Sequence, residues 1–148
     1  MIAIGCDHGG FKLKEEIKKY LDEIGVVYSD EGCYSEESVH YPIYAKKVCL
    51  KILNGECDKG ILICTTGNGM AIAANKFKGI RCTKCNTEQE ATLSRNHNDA
   101  NVLSLPAGSI STELAIKIVR LWLASGFDMG RHETRVNMIK EIENENMK

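Results

Sequence analysis

ILICTTGNGMAIAANK, residues 61–76, passes from an apolar triplet and a cysteine through a two-glycine loop into a run of helix-forming residues. A strand apolar at consecutive positions is buried on both faces, as strands are in parallel sheets covered by helices. The stretch therefore predicts a strand over 59–64, a turn, and a short helix over 70–76, with Cys64 at the strand's carboxyl end. In Gly67-Asn68-Gly69 the glycines free backbone N–H groups to face a ligand, and a helix N-terminus favours negative charge. The loop is a candidate anion cradle, with an ordinary tight turn as the alternative. No Gly-Lys-Ser/Thr follows, which excludes a Walker loop, and Ile72 breaks a G-x-G-x-x-G pattern. Cys64 itself reads as a small buried hydrophobe, a redox thiol or a reacting group.

Outward from this unit, short apolar runs alternate with amphipathic segments, the signature of β-α units around a parallel sheet. Strands are expected at 2–6, 26–28, 59–64, 79–82 and 102–105. Helices are expected at 11–24, 44–53, 70–76 and 88–95, after a cap at Ser111 or Thr112, and from about Glu133 to Glu143. With 148 residues and no linker, repeat or low-complexity block, the chain reads as one doubly wound α/β domain, 1–148. Ligands in such sheets bind beyond the carboxyl ends of the strands. That expectation puts DHGG (7–10), CTTGNG (64–69) and SRNHNDAN (94–101) on one rim.

Composition narrows the function. A formal net charge of -1, from 19 basic and 20 acidic residues, gives no global attraction to nucleic acid or anionic lipid. No segment has signal-peptide character or the roughly 18 apolar residues a membrane span needs. A soluble cytoplasmic protein is expected. The 7 cysteines are odd in number and scattered among apolar residues, which suits a reducing compartment.

Several residues are equipped for chemistry. Cys82-Thr83-Lys84-Cys85 is a C-x-x-C, but it lies on or just after a predicted strand instead of opening a helix, and no second ligand pair completes a zinc site. His8 beside Asp7, and His97 beside Asn98 and Asp99, sit in polar clusters at element ends. A neutral imidazole passes protons near pH 7, so His97 is an acid/base candidate. Arg131 and Arg135 stand four apart, hence on one helix face, where two guanidinium groups can grip a phosphate or simply face solvent.

IAIGCDHGGFKLKEEI, YSEESVHYP, ILICTTGNGMAIAANKFKGIR, SRNHNDANVL and GRHETRV together resemble, in order and spacing, the ribose-5-phosphate isomerase B family, which includes the galactose-6-phosphate isomerase subunits. The resemblance runs from residue 1 to about 140. It implies a Rossmann-like three-layer α/β/α sandwich with a five-stranded parallel sheet and a C-terminal helix. It also implies a homodimer or dimer of dimers with active sites shared between subunits. The implied reaction is a metal-free, cofactor-free aldose-ketose isomerisation of a sugar phosphate, ribose 5-phosphate to ribulose 5-phosphate in the main branch. By position, Cys64 matches the base moving a proton between C2 and C1, and Thr66 the residue orienting it. Thr65, Gly67, Asn68 and Gly69 match the enediolate-binding loop, and His97 the ring-opening acid. Asp7 and Asn98 match sugar contacts, and Arg131, Arg135 and His8 the phosphate grip.

Relatives usually read Cys-Gly-Thr-Gly-hydrophobic-Gly, so Thr65 and Asn68 are departures. Gly108 falls where many relatives carry a further phosphate-contacting arginine, and His40 replaces an acidic residue common in the ribose branch. The alternatives are a six-carbon sugar phosphate such as allose or galactose 6-phosphate, a non-catalytic phosphate-binding module, and a thiol redox protein.

Overall fold

The computed structural model describes residues 1–147. Five strands, β1 (Ile2–Cys6), β2 (Tyr28–Asp30), β3 (Lys59–Cys64), β4 (Cys82–Lys84) and β5 (Val102–Pro106), form one sheet in the order β2-β1-β3-β5-β4. All its pairings are parallel. The helices are α1 (Phe11–Glu23), α2 (Tyr41–Leu53), α3 (Asn68–Ala74), α4 (Glu88–Asn96), α5 (Thr112–Ala124) and α6 (Arg131–Asn146).

The sheet separates two apolar clusters. One joins Ile4, Ile61, Ile63 and Leu103 to Leu13, Ile17 and Leu21 of α1, Ala91 of α4, and Ile118 and Trp122 of α5. The other joins Ala3, Leu62 and Val102 to Ala45 and Val48 of α2 and to Met70 and Ala74 of α3. Successive strand residues face opposite layers, so the unbroken apolar runs of β1, β3 and β5 serve both. This is the three-layer α/β/α sandwich that the resemblance implies. The chain reverses its winding direction between β1 and β3, and the crevice there lies beyond Cys6 on one side and Cys64 on the other.

β1 and β3 match their expected bounds, whereas the edge strands sit later. After Gly25 (φ 72), the Val26 N–H closes back onto the Leu21 carbonyl at 2.9 Å, so the β2 ladder begins only at Tyr28. Gly79 (φ 92) and the bond from Ile80 N to Phe77 O consume 79–81 in a turn, leaving β4 to start where Cys82 meets Val102. α2 starts three residues early, at Tyr41, because Pro42 in a first turn forfeits no hydrogen bond. α3 starts at Asn68, directly after left-handed Gly67, and Ser111 is the cap of α5, accepting the Leu114 N–H. α6 runs from Arg131 to Asn146, longer than expected at both ends, and of its residues only Val136 is buried. Among the described residues no helix is long and apolar enough to cross a membrane.

Candidate active site

β3 delivers Cys64 to the crevice. Its thiol is almost fully buried, and Sγ accepts the Gly67 N–H at 3.2 Å. That bond exists because Gly67 is left-handed (φ 77), turning its amide back toward the strand end. Buried Ser104 of β5 clamps the same residue by donating to the Gly67 carbonyl at 2.7 Å. Thr66 Oγ1 accepts the Asn68 N–H at 3.2 Å, bracing the turn; its hydroxyl makes no hydrogen bond to Cys64. The Asn68 side chain accepts from Lys84 Nζ at 3.1 Å, tying the loop to β4. Tyr41, at the start of α2, lays its ring on Gly69, where an added Cβ would meet Cε1 at 2.7 Å.

Across the crevice, Asp7 Oδ1 accepts from Gly9 N (3.0 Å) and Gly10 N (3.2 Å), capping the 3₁₀ turn His8–Gly10. The second carboxylate oxygen takes no protein donor among the described residues, so it is available to a hydroxylated ligand. His8 Nδ1 accepts the Val39 N–H at 3.2 Å. This fixes the neutral tautomer with Nε2 carrying the proton, a donor suited to an anion.

Thr65 is wedged between two glycines. A Cβ on Gly9 would overlap its hydroxyl, and one on Gly108 would lie 2.8 Å from its methyl and 3.0 Å from its carbonyl oxygen. The Gly108 N–H donates to that same carbonyl at 2.8 Å. Thr65 keeps a negative φ, so the departure from glycine strains nothing; the left-handed residue is Gly67.

The expectation of one shared rim is overturned for SRNHNDAN. This segment leads into β5, so in an all-parallel sheet it lies at the amino edge, opposite Cys64. The registers Gly60↔Val102 and Cys64↔Pro106 fix this. At about 3.3 Å per residue, the length of β3 puts about 17 Å between the two edges. At the amino edge Arg81 donates to the carbonyls of Asn98 and Asp99 (3.1 and 2.8 Å), and Arg95 to that of Ala100 (2.6 Å). Asp99 bonds to both guanidinium groups, and the loop carrying His97 and exposed Asn98 is thereby held rigid.

α6 brings its first turn to this loop. The His132 ring stacks on that of His97, centroids 4.1 Å apart and planes 8° from parallel. Loss of hydration first, then His97, Arg131 and Arg135, hold His132 below the ordinary histidine range, with Asp128 opposing. Arg131 and Arg135 are exposed and form no ion pair among the described residues. Donor atoms of His97, Asp128 and His132 lie within 4.8 Å of one another. Parallel stacked imidazoles send their lone pairs along parallel planes, however, so a shared ion would require one ring to turn.

The C-x-x-C does not form a unit. Cys82, on β4, belongs to one apolar layer and Cys85, just past the strand's end with its N–H on the Ser104 carbonyl, to the other, as residues three apart in extended chain face opposite sides. Burial raises both thiols, contrary to the activation that a redox pair needs. Sequence reading passed over Ser104, Lys84, Tyr41, Arg81, Arg95 and His132, which brace or flank the two half-sites from distant parts of the chain.

Fold and site together define an α/β enzyme with a ligand crevice at its switch point. The model of the ribose/galactose isomerase family matches residues 2–139. The chain is 51% identical over 142 residues to ribose-5-phosphate isomerase B of Escherichia coli, covering 96% of this chain and 95% of that one. It superposes on the structure of ribose-5-phosphate isomerase B from Clostridium thermocellum with TM-score 0.96 and 48% identity, over 97% of each chain. It also superposes on the enzyme from Mycoplasma genitalium with bound ribulose-5-phosphate, with TM-score 0.93 and 38% identity, over 98% of this chain and 97% of that one. This chain belongs to the ribose/galactose isomerase family and is an isomerase, an intramolecular oxidoreductase.

Proposed function

We propose that this enzyme interconverts ribose 5-phosphate and ribulose 5-phosphate through an enediolate, with Cys64 as the base and His97 as the ring-opening acid, using neither metal nor cofactor. The observation that carries the reading is the contact of the Gly67 N–H with Cys64 Sγ at the mouth of a loop of backbone donors. Relatives with the same fold, one of them holding ribulose-5-phosphate, support the substrate.

The chemistry follows from the geometry. His97 protonates the furanose oxygen as the C1–O4 bond breaks; the O1–H pair becomes the C1 carbonyl and its proton leaves to solvent. Cys64 then takes the C2 proton and returns it to C1, while the O2 hydroxyl proton passes to O1, so that C2 becomes the carbonyl and C1 carries the hydroxyl. The loop 65–69 holds the enediolate oxygens through its backbone N–H groups, those of Gly67 and Asn68 being already engaged by Cys64 Sγ and Thr66 Oγ1. One well-aimed donor of that kind is worth about 2.7 to 4 kcal/mol, against about 0.3 to 1 kcal/mol for a helix dipole. The loop therefore lowers the barrier more than the dipole does. Asp7 and Asn98 contact sugar hydroxyls, Thr66 keeps the loop in shape around Cys64, and Arg131, Arg135 and His8 bind the phosphate.

Cys64 and His97 lie at opposite edges of the sheet, so a complete site takes Cys64, Asp7 and His8 from one subunit and His97, Asn98, Arg131 and Arg135 from another. The exposed Met138, Ile139 and Ile142 of α6 supply an apolar surface for that homodimer. Cys64→Ala is expected to abolish turnover of ribose 5-phosphate and C2–H exchange with solvent while leaving sugar-phosphate binding intact. Full turnover in that variant would remove Cys64 as the base. Loss of activity in EDTA with recovery on adding zinc or magnesium would remove the metal-free mechanism.

Mixing Cys64→Ala and His97→Ala chains tests the sharing. Random pairing makes half the dimers mixed, and each holds one intact site of two, so about a quarter of wild-type activity should return. No recovery, with mixed dimers demonstrated, would place both residues in one subunit's site. A six-carbon sugar phosphate is the second reading. His40 is exposed and makes no capping bond at the start of α2, beside the Tyr41 that lines Gly69. A panel of ribose, allose and galactose phosphates separates the two.

A further inference from the structure

Among the described residues, no hydrogen bond reaches either ring nitrogen of His97. Its backbone is fixed, with N–H bonded to the Leu93 carbonyl at 2.9 Å and the following loop pinned by Arg81 and Arg95. The imidazole lies against the face of His132, 4.1 Å away and 8° from parallel, with the Asp128 carboxylate within 4.8 Å. His132 is fixed in turn, because its N–H bonds to the Met129 carbonyl and the Asp128 N–H bonds to the Asn96 carbonyl. These contacts draw the start of α6 against the end of α4.

A stack of this kind suits a proton donor. It restricts rotation of the ring about the Cβ–Cγ bond while leaving both nitrogen edges open to a substrate. Two imidazolium rings face to face repel each other, and Arg131 and Arg135 add to the positive charge around His132. Asp128 is the carboxylate facing the pair. The less costly arrangement has His132 neutral, its π face under the His97 ring.

We infer that His132 is a positioning residue for ring opening: its ring face holds the imidazole of His97 in the orientation from which it protonates the furanose oxygen. This rests on the reading of His97 given above. The bonds made and broken are those already described; His132 exchanges no proton with substrate.

The test exploits the fact that ribulose 5-phosphate, its C5 hydroxyl esterified, cannot close a furanose ring. Exchange of its C1 proton with deuterated water therefore reports the enediolate step alone, whereas turnover of ribose 5-phosphate requires ring opening as well. His132→Ala and His132→Leu are expected to lose between about tenfold and a hundredfold in kcat for ribose 5-phosphate, the scale of a misplaced general acid. They should keep C1 exchange from ribulose 5-phosphate within about twofold, since that step does not use the stack. His132→Phe, which keeps a flat ring and cannot titrate, should recover most of the loss; leucine has comparable bulk but no such face. Melting curves confirm that each variant folds.

An unchanged kcat in His132→Ala, an equal fall in both assays, or a His132→Phe no better than His132→Leu would each overturn the inference. His97→Ala is the control for the underlying reading. If it spares ribose 5-phosphate turnover, His97 is not the ring-opening acid and the role of His132 falls with it. If it shows the ring-opening defect and His132→Ala does not, only the positioning role falls.

Discussion

Replacing Gly108 by alanine adds one methyl group at a crowded point of the crevice. The new Cβ would stand 2.8 Å from the Thr65 methyl and 3.0 Å from the Thr65 carbonyl oxygen. That carbonyl is not free to retreat, because it accepts the Gly108 N–H at 2.8 Å. Turning the Thr65 side chain does not clear the space either, since its hydroxyl already fills the room beside Gly9. Backbone must move, and overpacking of this kind costs about 1 to 3 kcal/mol. For a chain of this length that is a fall of about 2 to 12 °C in melting temperature. The displaced segment joins Cys64 to its loop, so kcat for ribose 5-phosphate should fall about tenfold, less than the hundredfold of a 1 Å misplacement. Thr65→Ser removes the methyl and keeps the hydroxyl, so Thr65→Ser, Gly108→Ala should recover part of both losses. The coupling between the two changes is expected at about 0.5 to 3 kcal/mol. Thermal melts and steady-state assays on the four proteins of the cycle measure it. A Gly108→Ala protein with wild-type melting temperature and turnover, or a loss that Thr65→Ser leaves untouched, would refute the wedge. The same geometry bears on Gly108→Arg: a tighter Michaelis constant for a pentose phosphate is expected only when Thr65 is reduced to serine or glycine.

Other expectations follow from single contacts. Ser104→Ala removes one of the two donors to the Gly67 carbonyl, which keeps the Ala71 N–H at 3.2 Å, costing about 0.5 to 1.5 kcal/mol, and lowers kcat through the loosened Gly67–Cys64 bond; an unchanged kcat would separate the clamp from catalysis. Asp30→Asn leaves the fully buried Lys14 ammonium, 2.7 Å from Asp30 Oδ1, with the more distant Glu15 carboxylate at 3.9 Å as its counter-charge, and urea unfolding should show a loss approaching that of a broken buried pair, about 3 to 5 kcal/mol. Despite burial, the Lys14 and Lys18 ammonium groups hold the Asp30 carboxyl below its ordinary value. Its share of stability is thus complete above the ordinary carboxylate range and lost as pH falls through the lowered value, a limb that acid unfolding of Asp30→Asn should lack. Ile142→Glu on α6 should prevent self-association and abolish turnover with helical content retained; an active, associated variant would move the subunit interface elsewhere.

What was legible in the sequence follows the range of the interactions that decide each feature. β1, β3 and the loop at 64–69 depend on local patterning: strands buried on both faces are apolar throughout, and a strand-to-helix turn requires its glycines. Edge strands β2 and β4 depend on where a neighbouring strand begins, which no local pattern records. The misplaced rim of SRNHNDAN arose from grouping polar loops by chemistry, although its position before β5 carried the opposite answer. Lys14 carries no local signal as a core residue because Asp30, the Cys33 carbonyl and the Tyr34 ring, which make its burial tolerable, come from the end of β2 and the loop after it. His132 carries no local signal of its stacking, since its partner lies 35 positions earlier.

The departures from the family's usual loop now have separate physical meanings. Asn68 has its own partner in Lys84, and Thr65 occupies the room that a side chain at position 108 would need, so Thr65 and Gly108 amount to one change. Neither touches the elements that serve the reacting atoms in the proposed mechanism: the left-handed Gly67, its bond to Cys64 and its clamp by Ser104. Donors supplied by backbone survive side-chain replacement around them so long as the turn is kept. The departures therefore act on the walls of the crevice and not on the proton transfer. In the proposed function, selectivity among sugar phosphates falls to those walls: the Thr65 hydroxyl beside Gly9, the close contact of Gly108 with Thr65, and His40, which precedes Tyr41. In the proposed mechanism, a family that alters its sugar while retaining one isomerisation is served by this separation, with the enediolate held by main-chain donors beside Cys64 and recognition in the other side chains around it.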